Sequence, residues 1–352
     1  MLDAVVVGSG PNGLSAAIAL AQAGCKVVVF EASDGIGGGV RSKALTLPGF
    51  VHDVCSAVHP FGVASPFWRT LPLAAHGLDW VEPSAMVAHP FDDGTALTVE
   101  RSLDATVALL SADGGAYRRT IGAVVDNWPH LERAVLGPFT VPRHPFVLAR
   151  FAADALRSAE GLAKSAFANE RTRAMFAGIA AHGMMPLDCL LTAGVGLTLA
   201  AMCHVAGWSI PRGGAQNLTK ALVAYLQSLG GEVIVDSPVT SVDNLPPARV
   251  VLFDLSPKPL LRIAGHKFPA AYRRALERYR YGPGVFKVDW ALSVPIPWKA
   301  DACARAGTLH LGGTLGEIAA SERAAFDGRI ADRPYVLLSQ PTLFQSAARY
   351  CP

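Results

Sequence analysis

The chain has 352 residues, 51% hydrophobic and 17% charged. That composition excludes a disordered chain and is enough for a large core and about two domains. Lys plus Arg, 31, nearly balance Asp plus Glu, 28, and a net charge of +3 leaves no basic footprint for a nucleic acid; Arg278-Tyr279-Arg280-Tyr281 reads as a solvated helix end.

In chain order, the first forty-one residues carry most of the information. Ala4-Val5-Val6-Val7 is an apolar strand run, followed by the glycine turn Gly8-Ser9-Gly10-Pro11-Asn12-Gly13. Leu14 to Ala23 is alanine-rich and helical, Gly24 ends it, and Lys26 to Glu31 is a second strand ending in an acid. Strand, GxGxxG turn, helix, strand and acid is the pattern of a dinucleotide site. Gly8 permits the tight turn, Gly10 lets backbone approach a pyrophosphate, and Gly13 lets the helix pack closely on the strand. Ser9, Pro11 and Asn12 complete the loop that faces the phosphates at the helix N-terminus. Glu31 follows Gly13 by 18 residues, where a carboxylate accepts hydrogen bonds from ribose hydroxyls. The chain starts at residue 1 with this strand, which leaves no room for a signal or transit peptide.

A second cluster, Gly35-Ile36-Gly37-Gly38-Gly39-Val40-Arg41-Ser42, comes directly after the acid. NAD does not need it. It suits FAD, whose body runs past the second strand: Gly38 and Gly39 let the backbone come close, and Arg41 meets a pyrophosphate. With the continuation Leu47-Pro48-Gly49-Phe50-Val51-His52-Asp53-Val54-Cys55-Ser56, the sequence resembles the amine oxidase and phytoene desaturase superfamily of FAD-dependent oxidoreductases, in its phytoene desaturase-like branch. The resemblance implies an α/β fold: a Rossmann-type FAD-binding domain built from residues 1–76 and 208–284, with an inserted α+β substrate domain of residues 77–207 and 285–352.

Further along, Leu78 to Glu82, His89-Pro90-Phe91 and Ala96 to Val99 read as short antiparallel strands, with Asp92-Asp93-Gly94 as a hairpin turn. Ser102 to about Arg173 is helical in pattern, with polar breaks at Ala112 to Gly115 and Val141 to Arg143. Leu190 to Gly207 is almost free of charge and stands at the lower limit for spanning a bilayer. A buried core helix is the preferred reading, and peripheral membrane contact that collects a lipid-like substrate is the alternative. Trp208 to Leu218 is a proline-glycine turn entering a helix that ends at Gly230-Gly231. Glu232 to Val235 and Pro238 to Val242 follow as short strands. The resemblance implies a return here into the FAD domain, with Val239 holding the adenine through its backbone. Arg249 to Pro257 reads as an apolar buried strand ending in a polar turn, with Asp254 as a turn cap or a lining residue. Strict alternation in Phe286 to Leu292 predicts a half-buried antiparallel strand. Thr308 to Thr314 and Tyr335 to Pro341 continue that sheet, with a helix over Ile318 to Ala325.

The six cysteines, Cys25, Cys55, Cys189, Cys203, Cys303 and Cys351, form neither CxxC, nor a CxxxxC redox pair, nor a metal-ligand spacing. They read as thiols of a reducing, cytoplasmic compartment, and no metal is expected. Ser56 and His59 follow the second glycine cluster, but no motif assigns a catalytic acid or base. No second GxGxxG follows a strand, so a dedicated NAD(P)H domain is not expected. Members of the resembled superfamily run on beyond Pro352 into a glycine-rich turn and helix beside the flavin ring, an element this sequence lacks. The leading expectation is an FAD-dependent desaturase or dehydrogenase taking hydride from a small hydrophobic substrate. The alternatives are a non-catalytic remnant that binds a dinucleotide or a partner only, and a site for NAD instead of FAD. Oligomeric state, substrate and electron acceptor are not written in these residues.

Overall fold

The computed structural model of the protein describes residues 1–138 and 141–344; Cys351 lies outside them, and the other five cysteines are unpaired. In chain order the strands are β1 (Leu2–Val7), β2 (Val27–Phe30), β3 (Ser42–Lys43), β4 (His52–Asp53), β5 (Trp80–Val81) and β6 (Ala85–Pro90). They continue with β7 (Ala96–Val99), β8 (Ile210–Pro211), β9 (Glu232–Ile234), β10 (Ala248–Phe253), β11 (Ala306–Leu311) and β12 (Val336–Ser339). Two four-stranded sheets dominate.

The first sheet is wholly parallel, in the order β10-β1-β2-β9. Its centre is the apolar run Ala4 to Val7, buried on both faces as a parallel strand must be. The helix α1 (Pro11–Gln22) crosses from β1 to β2; Pro11 sits in its first turn, where a missing N–H is harmless. Gly13, Leu14, Ala17, Ile18 and Ala21 form its buried side. The helix Gln216–Ser228 packs beside it, so that Leu14, Ile18, Leu218, Leu222 and Leu226 share one core with Val6 and Val29. Strands 27–30 and 232–234 are therefore neighbours although about two hundred residues separate them in the chain.

The second sheet is mixed, β12-β11-β6-β7, with β11 parallel to β6 and the other pairs antiparallel. The turn at Asp92-Asp93-Gly94 closes the β6–β7 hairpin, with the Phe91 N–H donating to Thr95 O at 2.8 Å. A helical layer covers one face. Its central helices are Glu170–Ala180 and Thr192–Val205; the second is the charge-poor segment, and it is buried from Ala193 to His204 apart from its Gly194–Val195 step. No helix among the described residues is long and apolar enough to cross a membrane. Trp208 is only 2% exposed, and its indole N–H donates to Thr308 Oγ1 at 3.0 Å, pinning the end of this layer to β11.

Three expectations are corrected. Pro238 to Val242 forms no strand: Pro238 has no N–H for a ladder, and the loop is held by Asp236 N–H to Ser33 O and Ser237 N–H to Glu31 O, both 2.9 Å. β10 is not buried: it is the edge of its sheet, bonded only to β1, and Val250 is 45% exposed. Phe286 to Leu292 forms no strand and joins no sheet. Asp289, partly buried, meets His52 at 3.6 Å and pairs with the exposed Lys287. Phe286, Val288 and Trp290 then point outward, Phe286 at 93% exposure. Alternation identifies a two-sided segment, but a strand also needs a partner edge. The polar break expected at Ala112 to Gly115 is a tight turn within continuing helix. Its Asp113 is buried, and its carboxylate takes the Ala168 and Asn169 N–H groups at 2.8 Å each.

Between the second sheet and its helices lies a buried group of histidines. His182 Nε2 and His310 Nε2 are 2.9 Å apart, so one neutral ring donates and the other accepts. His89 Nε2 lies 2.8 Å from Gly313 O. Burial pushes His182 down to about 4, as it does His204 and His59, and it lowers His89 and His310 too, the neighbouring histidines adding to the effect on His310. These rings are neutral in the folded chain and charged in the acid-unfolded one. Their depressed values mean that the unfolded chain binds more protons between pH 4 and about 6.5. Stability is therefore full above about 6.5 and falls steeply as pH drops toward 4, which urea unfolding at stepped pH will show. Trp208→Ala should cost about 3–5 kcal/mol in the same assay, while Trp290→Ala leaves the midpoint unmoved.

Candidate dinucleotide-binding site

The carboxyl ends of the first sheet open into a cleft of about 530 Å³. Its size lies within the usual range for small-molecule and cofactor sites, and it lies where the strand order reverses, the crevice in which such sheets gather ligands. It is lined by Gly8, Ser9, Gly10, Pro11 and Asn12 of the first turn, by Glu31 after β2, by Gly38 and Gly39 of the second glycine cluster, and by Val239 after β9. Of the eleven residues singled out from the sequence, nine thus meet in one cavity.

Gly13 and Arg41 do not line it. Gly13 is buried beneath the turn, where a Cβ would run into the Gly8 carbonyl oxygen, so its part is close helix–strand packing. Arg41 turns back, its Nε donating to Gly38 O at 2.8 Å; it braces the second loop instead of pointing into the cleft.

Glu31 organises the first turn. Its Oε2 accepts from the Ser9 N–H at 3.0 Å and the Ser9 hydroxyl at 2.5 Å, and its Oε1 accepts from the Ser33 N–H at 2.9 Å. Burial alone would raise this carboxyl, but the Ser9 hydroxyl and the Ser9 and Ser33 amides outweigh burial and hold it below the ordinary range. A carboxylate has about four acceptor positions; three are filled, and the remaining one suits a ribose hydroxyl. The Ser9 hydroxyl also accepts from the Gly37 N–H at 3.0 Å, linking the first turn to the second loop.

The second loop approaches the first so closely that a Cβ on Gly38 would lie 3.4 Å from Gly10 Cα. Gly37, at φ +112°, adopts a conformation that glycine alone takes easily, and a Cβ there would meet Val40 O at 2.6 Å. Two residues that sequence reasoning passed over hold this loop in place. Gln216 Nε2 donates to Ile36 O at 3.0 Å, and its Oε1 accepts the Ser42 N–H at 3.1 Å. Asp53 Oδ1 accepts from the Ser42 hydroxyl at 2.6 Å and the Ala215 N–H at 2.7 Å; burial raises its carboxyl although both bonds favour the charged form. Only the folded chain brings residues 42, 53 and 216 together.

The sequence left Asp254 between a turn cap and a lining residue; its side chain does not cap its own turn. It lines the cleft, and its Oδ2 accepts the Gly13 N–H at 2.9 Å, capping α1 from across the sheet. The Asn12 N–H is left without an intrahelical acceptor beside the cavity. Ser56 and His59 stay outside the lining; the Ser56 N–H reaches Gly39 O at 3.3 Å, and the His59 ring lies 6.5 Å from that of Trp80. Among the described residues there is no cluster of His, Cys, Asp and Glu that could hold a metal ion. The lining also includes Leu255, Pro259, Arg262 and Ile263, which no motif marked.

Residues 6–71 match the NAD(P)-binding Rossmann-like domain family. Over 105 residues the chain is 31% identical to a limonene dehydrogenase polypeptide of Castellaniella defragrans, covering 30% of this chain and 19% of that protein. Over 262 residues it is 26% identical to a phytoene desaturase of Fusarium fujikuroi, covering 68% of this chain and 43% of that one. The fold of this chain is shared with an oxidoreductase from Methanosarcina mazei at a TM-score of 0.55 and 19% identity, over 79% of this chain and 65% of the other. A putrescine oxidase variant has the same fold at a TM-score of 0.51 and 20% identity, over 78% and 63%. The chain spans less than two thirds of the length of each of these proteins.

Replacing Asp53 by Ala strands the buried Ala215 N–H and the Ser42 hydroxyl. It should cost about 2 kcal/mol of stability in urea unfolding, whereas Asp92→Ala, at an exposed carboxylate, changes it by less than about 0.5 kcal/mol.

Proposed function

We propose that the protein is an FAD-dependent oxidoreductase of the desaturase or dehydrogenase kind, acting on an apolar substrate. The observation that carries this reading is the meeting of the two glycine clusters. Gly38 lies against Gly10 in a single cleft, with Glu31 and Val239 in its walls. An NAD site needs only the first cluster; a second, brought to the first, supports a longer dinucleotide. The donor set suits it: Glu31 would hold the adenosine ribose, the backbone near Val239 the adenine, and the first turn with the Asn12 N–H the pyrophosphate. When bound, FAD supplies the hydride-accepting ring, and the protein orients it and keeps water from it.

The substrate class rests on the relatives' names, which are those of limonene and phytoene enzymes. With this reading goes the division of the chain into a cofactor domain, residues 1–76 and 208–284, and a substrate domain, residues 77–207 and 285–352. The cytoplasmic placement rests on the spacing of the cysteines in the sequence.

Reconstitution of the purified chain with FAD tests the proposal. The expected result is a stoichiometric flavin spectrum that bleaches anaerobically with an apolar alkene or amine. Gly10→Val, whose Cβ would sit 2.5 Å from Asp254 Oδ2, should weaken FAD at least about a hundredfold. Stabilisation by NAD with no uptake of FAD would instead make this a nicotinamide site. Flavin uptake without bleaching by any substrate would leave a binding protein.

A further inference from the structure

We infer that Arg262 supplies the countercharge to the pyrophosphate of the bound dinucleotide, an inference that rests on the cofactor reading above. The helix Pro257–Ala264 starts just beyond Asp254. Pro259, Arg262 and Ile263, spaced as one helical face, line the cleft together with the first turn. The charges in that lining are two carboxylates, Glu31 and Asp254, and one cation, Arg262. A pyrophosphate entering the cleft would bring further negative charge into a wall that already holds two acids. Helix-end amides offset only part of this, because Asp254 takes the Gly13 N–H. The arginine marked in the sequence, Arg41, lies outside the lining with its Nε on Gly38 O.

Arg262 is placed to fill that gap. Both acids are engaged by other donors, Glu31 by Ser9 and Ser33 and Asp254 by Gly13, so neither holds the guanidinium. Among the described residues the Arg262 guanidinium makes no hydrogen bond or ion pair, although its charge is felt at the Tyr281 phenol. It is exposed at the rim, on a long side chain free to swing onto a phosphate, and a guanidinium meets phosphate oxygens with paired N–H donors.

Calorimetric titration of the full chain with ADP and with adenosine separates the phosphate from the nucleoside. In the wild type, ADP should bind more tightly than adenosine, and the difference should shrink at high salt. Arg262→Gln should weaken ADP roughly tenfold and leave adenosine unchanged, and Arg262→Lys should recover part of the loss. Equal losses for ADP and adenosine, or ADP binding unchanged in Arg262→Gln, would overturn the assignment. Salt-independent ADP binding in the wild type would do so even if a variant failed to fold. A wild type that binds neither ADP nor FAD sinks the cofactor reading itself, a failure distinct from a wild type that binds both with Arg262→Gln indistinguishable from it.

Discussion

A buried carboxylate is unfavourable unless its oxygens are satisfied, and that requirement at Glu31 ties together the cleft on which the molecule depends. Its side chain takes both polar hydrogens of Ser9 and the Ser33 amide. Its own N–H donates to Ile234 O at 2.8 Å, and its carbonyl accepts from Ser237 N–H at 2.9 Å. One residue at the end of β2 therefore fixes the first glycine turn, the end of β9 and the loop that carries Val239. These segments come from opposite ends of a long sequence interval and converge because each must complete the hydrogen bonding of the others.

The second glycine loop is held by a similar logic applied to neutral groups. The Ser9 hydroxyl accepts the Gly37 N–H, Gln216 bridges Ile36 and Ser42, and Asp53 gathers Ser42 and Ala215. The helix Gln216–Ser228 serves two purposes. Its apolar side completes the core beneath α1, and its first residue presses the second loop against the first turn. Packing and positioning are thus linked: the same helix that buries Leu218 and Leu222 sets the distance between Gly10 and Gly38.

The second sheet is stabilised differently. Its contacts with the helical layer include the paired indole of Trp208 and neutral histidines, of which His89 and His310 each keep a buried Nδ1 without a partner, so these rings are tolerable in a core only while uncharged. This makes the region beyond the cleft the more acid-sensitive part of the chain. The apolar side chains of Phe286, Val288 and Trp290 stand exposed on the segment whose Asp289 meets His52.

By itself the sequence determined the strand–turn–helix–strand start, the glycines that permit close approach, the acid at the end of β2 and the β6–β7 hairpin. Each of these is a local matter: φ preference, period and turn chemistry act over a few residues. Tertiary structure alone decided the rest. Arg41 turned back onto Gly38 and Arg262 came to stand at the rim of the cleft, because which side chain meets a cavity depends on how distant helices pack. Asp254 became a cap for α1 across 241 residues of sequence, which no local pattern encodes. β10 stayed half-exposed and Phe286 to Leu292 unpaired, because apolar alternation states what a strand would bury and only a neighbouring edge can make it one.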